Sequence, residues 1–185
     1  MLFRSQVQYS LVDDRPNHGM VAYCRAQNIA LLCYGTVCGG FLSERWLGKP
    51  APARDLANRS LAKYKLIIED FGGWGLFQEL LEVLSRISRA HDTDIASVAT
   101  RAILDRDRVA AAIVGAVSTR HLPAHARIGA LRLSDDDLSL IASVTRRRQG
   151  PAGDIYDLER DRTGAHGRIM KYELNAGLEH RAGDE

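Results

Sequence analysis

The sequence predicts an α/β fold built on a parallel sheet. Along the first 150 residues, strand-like segments alternate with segments of helical periodicity. Two of the strand-like segments, 29–34 and 110–115, are continuously apolar, which is typical of strands covered on both faces of a parallel sheet. The chain has 185 residues, of which 45% are hydrophobic, enough for one domain with a substantial core.

The first strand is predicted over residues 5–11, where Val7, Tyr9 and Leu11 alternate with polar residues. Turn-forming residues follow, and apolar positions in 18–28 are spaced as on one face of a helix. The apolar run 29–34 predicts the second strand. A glycine-rich segment comes directly after it.

A long connection is predicted over residues 42–73. It contains a candidate helix near 61–71 and ends at a glycine pair. A strongly amphipathic helix is predicted over 76–90, with one apolar stripe, followed by a second helix over 94–104. The third strand is predicted at 110–115, and helices at 118–128 and after Ser134 complete the order. Ser134 is a good N-cap, since three aspartates follow it. The apolar stripe of the helix predicted over 76–90 comprises Phe77, Leu80, Leu81, Leu84 and Ile87.

Residues 150–185 are polar, contain many charges and show little periodicity. We therefore divide the chain into a domain at 1–149 and a polar C-terminal extension at 150–185. The extension is expected to wrap the surface or to be disordered.

Several classes of function are disfavoured by composition. The net charge of +2 predicts no nucleic-acid surface, and the basic cluster 146–148 is interpreted as a solvated helix end. No apolar run reaches about 18 residues and the start has no signal-peptide core, so no membrane partner is expected. Three cysteines without a CxxC pattern favour reduced thiols, a cytoplasmic protein and no metal site.

Four segments, in order, resemble the aldo-keto reductase family: 5–11, 29–49, 110–122 and 131–141. Together they are similar to its sixth, seventh and eighth βα units. The resemblance implies a partial (β/α)8 TIM barrel, formed by the C-terminal three parallel strands with their helices. It also implies an NADP-dependent oxidoreductase domain that transfers hydride between NAD(P)H and a small-molecule carbonyl or alcohol.

The family's catalytic Asp, Tyr, Lys and His belong to the first half of the barrel, to which no segment of this sequence is similar. We therefore assign no catalytic residue. The sequence also enters a strand-like segment almost at once. We expect a truncated reductase chain that is inactive when isolated.

For the nicotinamide end of the cofactor, the resemblance implies two contacts. Gln6 matches the residue that binds the carboxamide, and Tyr34 matches the aromatic ring that lies against the nicotinamide. Without the resemblance, Gln6 is equally an exposed or barrel-lining polar residue and Tyr34 a core tyrosine. The loop implied to cradle the pyrophosphate contributes Gly35, Thr36, Val37 and Gly39.

The segment after the third strand is implied to hold the adenosine phosphate. Where the family usually shows a Glu and an Asn, this sequence has Ala124 and His125. We therefore expect weak or absent NADP binding by this chain alone and leave the choice between NAD and NADP open. The implied contacts are Gly115, Ala116, Val117, Arg120 and His121, and the histidines and Arg120 otherwise suit a solvated helix face.

Three hypotheses remain at this point. The chain is a truncated reductase, a non-catalytic half-barrel that assembles with itself or with a separate N-terminal half through exposed sheet edges, or an unrelated α/β binding module. The third hypothesis requires that the strands at 5–11, 29–34 and 110–115 are not adjacent and parallel in that order.

Overall fold

The predicted strands form one parallel three-stranded sheet in the computed structural model, which describes residues 3–53, 56, 59–115 and 119–170. The strands are β1 (Arg4–Gln8), β2 (Ala30–Tyr34) and β3 (Val109–Ile113), adjacent in that order. Both pairings are parallel, which confirms the predicted arrangement. The ladder puts Tyr34 level with Gln8 on one side and with Ile113 on the other, so the loops after all three strands leave from one edge.

Seven α-helices are assigned among the described residues, and short 3-10 turns connect them. Ser134 caps the fifth helix, as predicted. Its hydroxyl accepts from Asp137 N, while the Asp137 carboxylate accepts from Ser134 N. The helices are α1 (Met20–Ala26), α2 (Arg59–Ala90), α3 (Ile95–Leu104), α4 (Leu122–Ile128), α5 (Asp135–Thr145), α6 (Asp157–Arg160) and α7 (Ala165–Arg168).

The core lies between one face of the sheet and the helices. Val7, Leu31 and Cys33 are fully buried there. The apolar stripe predicted for residues 76–90 is buried along its whole length, because α2 packs against α3 and α5.

The other face of the sheet is covered only in part, since Gln8 and Ala30 are buried there, Tyr34 is half-buried, and Gln6 and Ile113 are exposed. The prediction that 110–115 is covered on both faces is wrong, since Ile113 is 43% and Val114 40% exposed. In the described part of the chain β3 pairs with β2 alone, so it is an outer strand, whereas the central strand keeps Leu31 and Cys33 buried.

The first strand is shorter than predicted. It ends at Gln8, and Ser10 and Asp13 exchange backbone hydrogen bonds of 3.0 and 3.3 Å in the turn that follows. The expected alternation also fails for the polar positions, because Gln8 and Ser10 are buried. Gln8 tolerates burial because its Nε2 donates to Asp13 Oδ2 at 2.6 Å.

The glycine pair predicted to close a helix is a kink inside α2. Gly72 and Gly73 have φ values of 140° and 82°, and the chain continues as helix on both sides. The two predicted helices are therefore joined, and the expected long connection is correspondingly shorter.

Residues 150–170 fold back onto the body of the domain. Pro151 is buried, Gln149 N donates to Phe71 O at 3.0 Å, and Glu159 pairs with Arg15. No helix within the described ranges is both long and apolar enough to cross a membrane.

Candidate cofactor site

The glycines after β2 fall into two groups. Gly35 and Gly39 have φ values of 72° and 63°, and a Cβ on either would lie 2.4 or 2.8 Å from atoms of the Tyr64 side chain. These two glycines are therefore required for the close packing of the loop against α2. Thr36, between them, is buried, and its Oγ1 lies 3.3 Å from that of Thr100 on α3.

Gly40 and Gly115 face open space instead. A Cβ built on either meets none of the described atoms within 4 Å. Their backbones are accessible to a ligand at the closest approach that a peptide allows, which is the property a phosphate cradle needs. Gly40 ends the segment 35–40 that the resemblance matches to the pyrophosphate loop, although it was not singled out as a contact.

A cavity of about 400 Å³ joins these two glycines. The loop after β2, the end of β3, the start of α3 and helix α4 enclose it. Of the predicted contacts, Val37, Gly115 and His121 line it, and so do Ala124 and His125, at which the sequence departs from the family pattern.

The charges of the cavity are unevenly distributed. At its α3 side, Glu44 Oε1 accepts from Ile95 N at 2.7 Å and Asp94 Oδ1 accepts from Ser97 N at 2.6 Å. Two carboxylates thus already occupy the first backbone donors of α3. At the α4 side, the rings of His121 and His125 are stacked with centroids 6.5 Å apart. Arg45, next to Glu44, also lines the cavity and is a permanent cation there, whereas the described lining residues of α4 include no carboxylate.

The predicted nicotinamide contacts lie on a different part of the sheet. Gln6 is exposed and level with Leu32, two residues before the end of β1, whereas Tyr34 is the last residue of β2. Paired residues of parallel strands share a face, so both belong to the face away from the helices. Burial, reinforced by the neighbouring Tyr156 and Glu159, raises the pKa of Tyr34 to about 12.

A buried charge cluster adjoins Tyr34, and sequence reasoning missed it. Arg15 donates to both oxygens of Asp13, at 2.9 and 2.8 Å, and to both oxygens of Glu159, at 3.0 and 3.1 Å. Burial alone would raise the pKa of Glu159, but the hydrogen bonds and charge of Arg15 outweigh it and lower that pKa to about 2. Lys63 Nζ lies 3.5 Å from Glu159 Oε1.

Three predicted contacts are not described. Ala116 and Val117 lie outside the described residues, and so does the side chain of Arg120, whose backbone belongs to the turn Thr119–His121. Within the described ranges, no group of three or more His, Cys, Asp or Glu side chains is arranged to hold a metal ion.

Comparisons with known proteins agree on family and fold. The sequence model of the Aldo/keto reductase family matches residues 3–146. A glycerol dehydrogenase from Gluconobacter oxydans matches with a TM-score of 0.66 and 15% identity, covering 81% of this chain and 44% of its own. A thermostable aldo-keto reductase crystallised with the inhibitor epalrestat matches with a TM-score of 0.51 and 19% identity, covering 76% of this chain and 39% of its own.

At these identities the structural matches establish the fold, that of an aldo-keto reductase barrel, of which the described residues form three strands. The chain covers 39–44% of the length of these two structures. Comparison with curated proteins gives no significant sequence match.

Proposed function

This chain belongs to the aldo/keto reductase family, and we propose that it forms the C-terminal, cofactor-binding portion of that family's barrel, equivalent to its sixth to eighth βα units. The complete enzyme would reduce small carbonyl compounds or oxidise the corresponding alcohols with NADP(H), which supplies or accepts the hydride. We propose that the chemical step depends on barrel segments other than these three units.

The cavity beside Gly40 and Gly115 carries the proposal. Both glycines leave their backbone uncovered there, and the cavity unites the loop after β2 with the end of β3 and with α4. The backbone of Gly40 would receive the pyrophosphate, while Gly115, His121 and His125 would receive the adenosine phosphate. Gly35 and Gly39 would act indirectly, because they allow the loop to pack closely against Tyr64.

Titration calorimetry with NADP+ and with adenosine 2′,5′-bisphosphate at low salt tests the proposal. We expect weak binding of both, with a Kd above about 1 µM, because part of the site must be ordered on binding. In Gly115→Ala the added methyl group intrudes on the cavity, so both ligands should bind at least about fivefold more weakly, on the order of 1 kcal/mol.

Gly75→Ala is the matched control for this titration. Gly75 lies in the helical part of α2, its added Cβ meets none of the described atoms within 4 Å, and it does not line the cavity. Binding in Gly75→Ala should equal that of the unchanged chain. Equal binding by Gly115→Ala, or no binding of the bisphosphate to any of the three proteins, would refute the proposed site.

A second candidate function is a non-catalytic half-barrel that assembles through its sheet. Exposed apolar residues at or beside strand ends support it, namely Phe3, Ile113 and Val114. Light scattering across a range of concentrations separates the candidates. A concentration-dependent dimer that fails to bind NADP+ favours assembly, whereas a monomer that binds the bisphosphate favours the cofactor role.

A further inference from the structure

One side chain of the C-terminal segment engages both residues assigned to the nicotinamide. The Tyr156 hydroxyl donates to Gln6 O at 2.8 Å. Its phenol group also neighbours Tyr34, whose pKa burial raises and Tyr156 helps to raise further. Tyr156 thus ties the C-terminal segment to the backbone of β1 beside Tyr34.

The segment 151–170, which carries Tyr156, is firmly anchored. Its Glu159 forms the bidentate pair with Arg15, and these residues are 8% and 2% exposed. Further along, His166 Nε2 lies 2.7 Å from Asp70 Oδ2, and His18 Nδ1 lies 3.0 Å from Gly153 O. Breaking a buried ion pair leaves an uncompensated charge, so the docked position is strongly favoured.

The ring of Tyr34 is engaged by the same cluster. Lys63 Nζ lies 5.8 Å from the ring centroid, and this ammonium group also pairs with Glu159. A planar ligand that stacks on Tyr34 therefore has to displace a cation that the segment helps to hold.

We propose that the segment 151–170 is an autoinhibitory strap that competes with the nicotinamide end of the dinucleotide for Gln6 and Tyr34. This inference rests on the proposed cofactor site. None of the described residues of the segment lines the cavity beside Gly40 and Gly115, so the strap leaves the adenosine end free. A ligand that reaches only the adenosine end binds with the strap docked, whereas the full dinucleotide binds after the strap is released.

The test compares two ligands on two variants of the full 185-residue chain. Tyr156→Ala removes the competing side chain, and Tyr23→Ala, which truncates a tyrosine 62% exposed on α1, is the control. Because apparent affinity scales with the fraction of molecules competent to bind, NADPH should bind Tyr156→Ala about fivefold or more tightly than the unchanged chain. Adenosine 2′,5′-bisphosphate should bind all three proteins equally.

Amide hydrogen exchange on the unchanged chain gives a second readout that needs no substitution. NADPH should accelerate exchange in 151–170, and the bisphosphate should not. Slower exchange in this segment with NADPH, or NADPH affinity that is unchanged or lower in Tyr156→Ala while the bisphosphate still binds, would refute the strap alone. Failure of the bisphosphate to bind the unchanged chain would refute the proposed site and the strap together.

Discussion

Arg15 is tightly held, because its buried guanidinium pairs with the nearby Asp13 on one side and with the sequence-distant Glu159 on the other. We predict that Glu159→Gln lowers the free energy of unfolding by about 3 kcal/mol, since it leaves a buried cation partly uncompensated. Urea unfolding at neutral pH measures the loss. The control is Glu79→Gln, which breaks the exposed pair with Arg147 and should leave the transition almost unchanged.

The ion pair between Arg15 and Glu159 also predicts that the stability of the fold decreases at acid pH. The pKa of Glu159 is lowered to about 2 in the folded chain from a reference value of 4.5. The ionised carboxylate therefore stabilises the fold fully above about pH 4.5, and this contribution is lost as pH falls towards 2. Glu159→Gln should lack this component, so its stability should fall less over that interval. An identical decline in both proteins would contradict the assignment.

At the residue scale, three of the cofactor contacts expected from similarity, Val37, Gly115 and His121, line one cavity, and their role in cofactor binding stays a prediction. The sequence does not show that Gly35 packs against the Tyr64 side chain whereas Gly40 faces open space, because Tyr64 lies 24 or more residues further along the chain. Tyr156 and Glu159 contact residues more than 140 positions earlier, and no spacing rule reaches that far.

At the scale of elements, the kink of α2 is formed by two glycines with positive φ, Gly72 and Gly73. Gly73 has φ 82° and ψ −179°, a region open almost only to glycine. We predict that Gly73→Ala costs about 1–3 kcal/mol. Gly75→Ala, two residues along in the regular helix, should instead stabilise the protein by about 0.5–1 kcal/mol. Thermal unfolding of the two variants should therefore shift in opposite directions. Parallel shifts would show that the kink is not held by Gly73.

The helices and strands were largely predictable, because hydrophobic periodicity depends only on residues that are close in the sequence. The apolar stripe of 76–90 and the cap at Ser134 both appear where predicted. The glycine pair was correctly seen as a break in helical geometry, but the sequence does not reveal that the helix resumes in contact with α3 and α5. Burial of β3 was wrongly predicted, because a continuous apolar run is the same in an outer strand as in a central one.

The two faces of the sheet are covered differently. On the helical side the core is continuous from β1 through α2 to α5. On the other face the strap contacts the backbone of β1 through Tyr156, and its Glu159 pairs with the buried Arg15. The proposed strap therefore lies where the resemblance leads us to expect the nicotinamide.

This division leads to the last prediction, that the 185-residue chain alone does not reduce carbonyl compounds. Tyr34 is the tyrosine that the resemblance assigns to the nicotinamide, yet burial raises its pKa to about 12. A general acid needs a proton it can release at working pH, so this environment opposes catalysis. NADPH oxidation with small aldehydes should stay at background, in an assay validated with a complete aldo-keto reductase. Turnover by the unchanged chain that Tyr34→Phe abolishes and Tyr23→Phe preserves would make Tyr34 a catalytic residue and overturn the division between binding and chemistry.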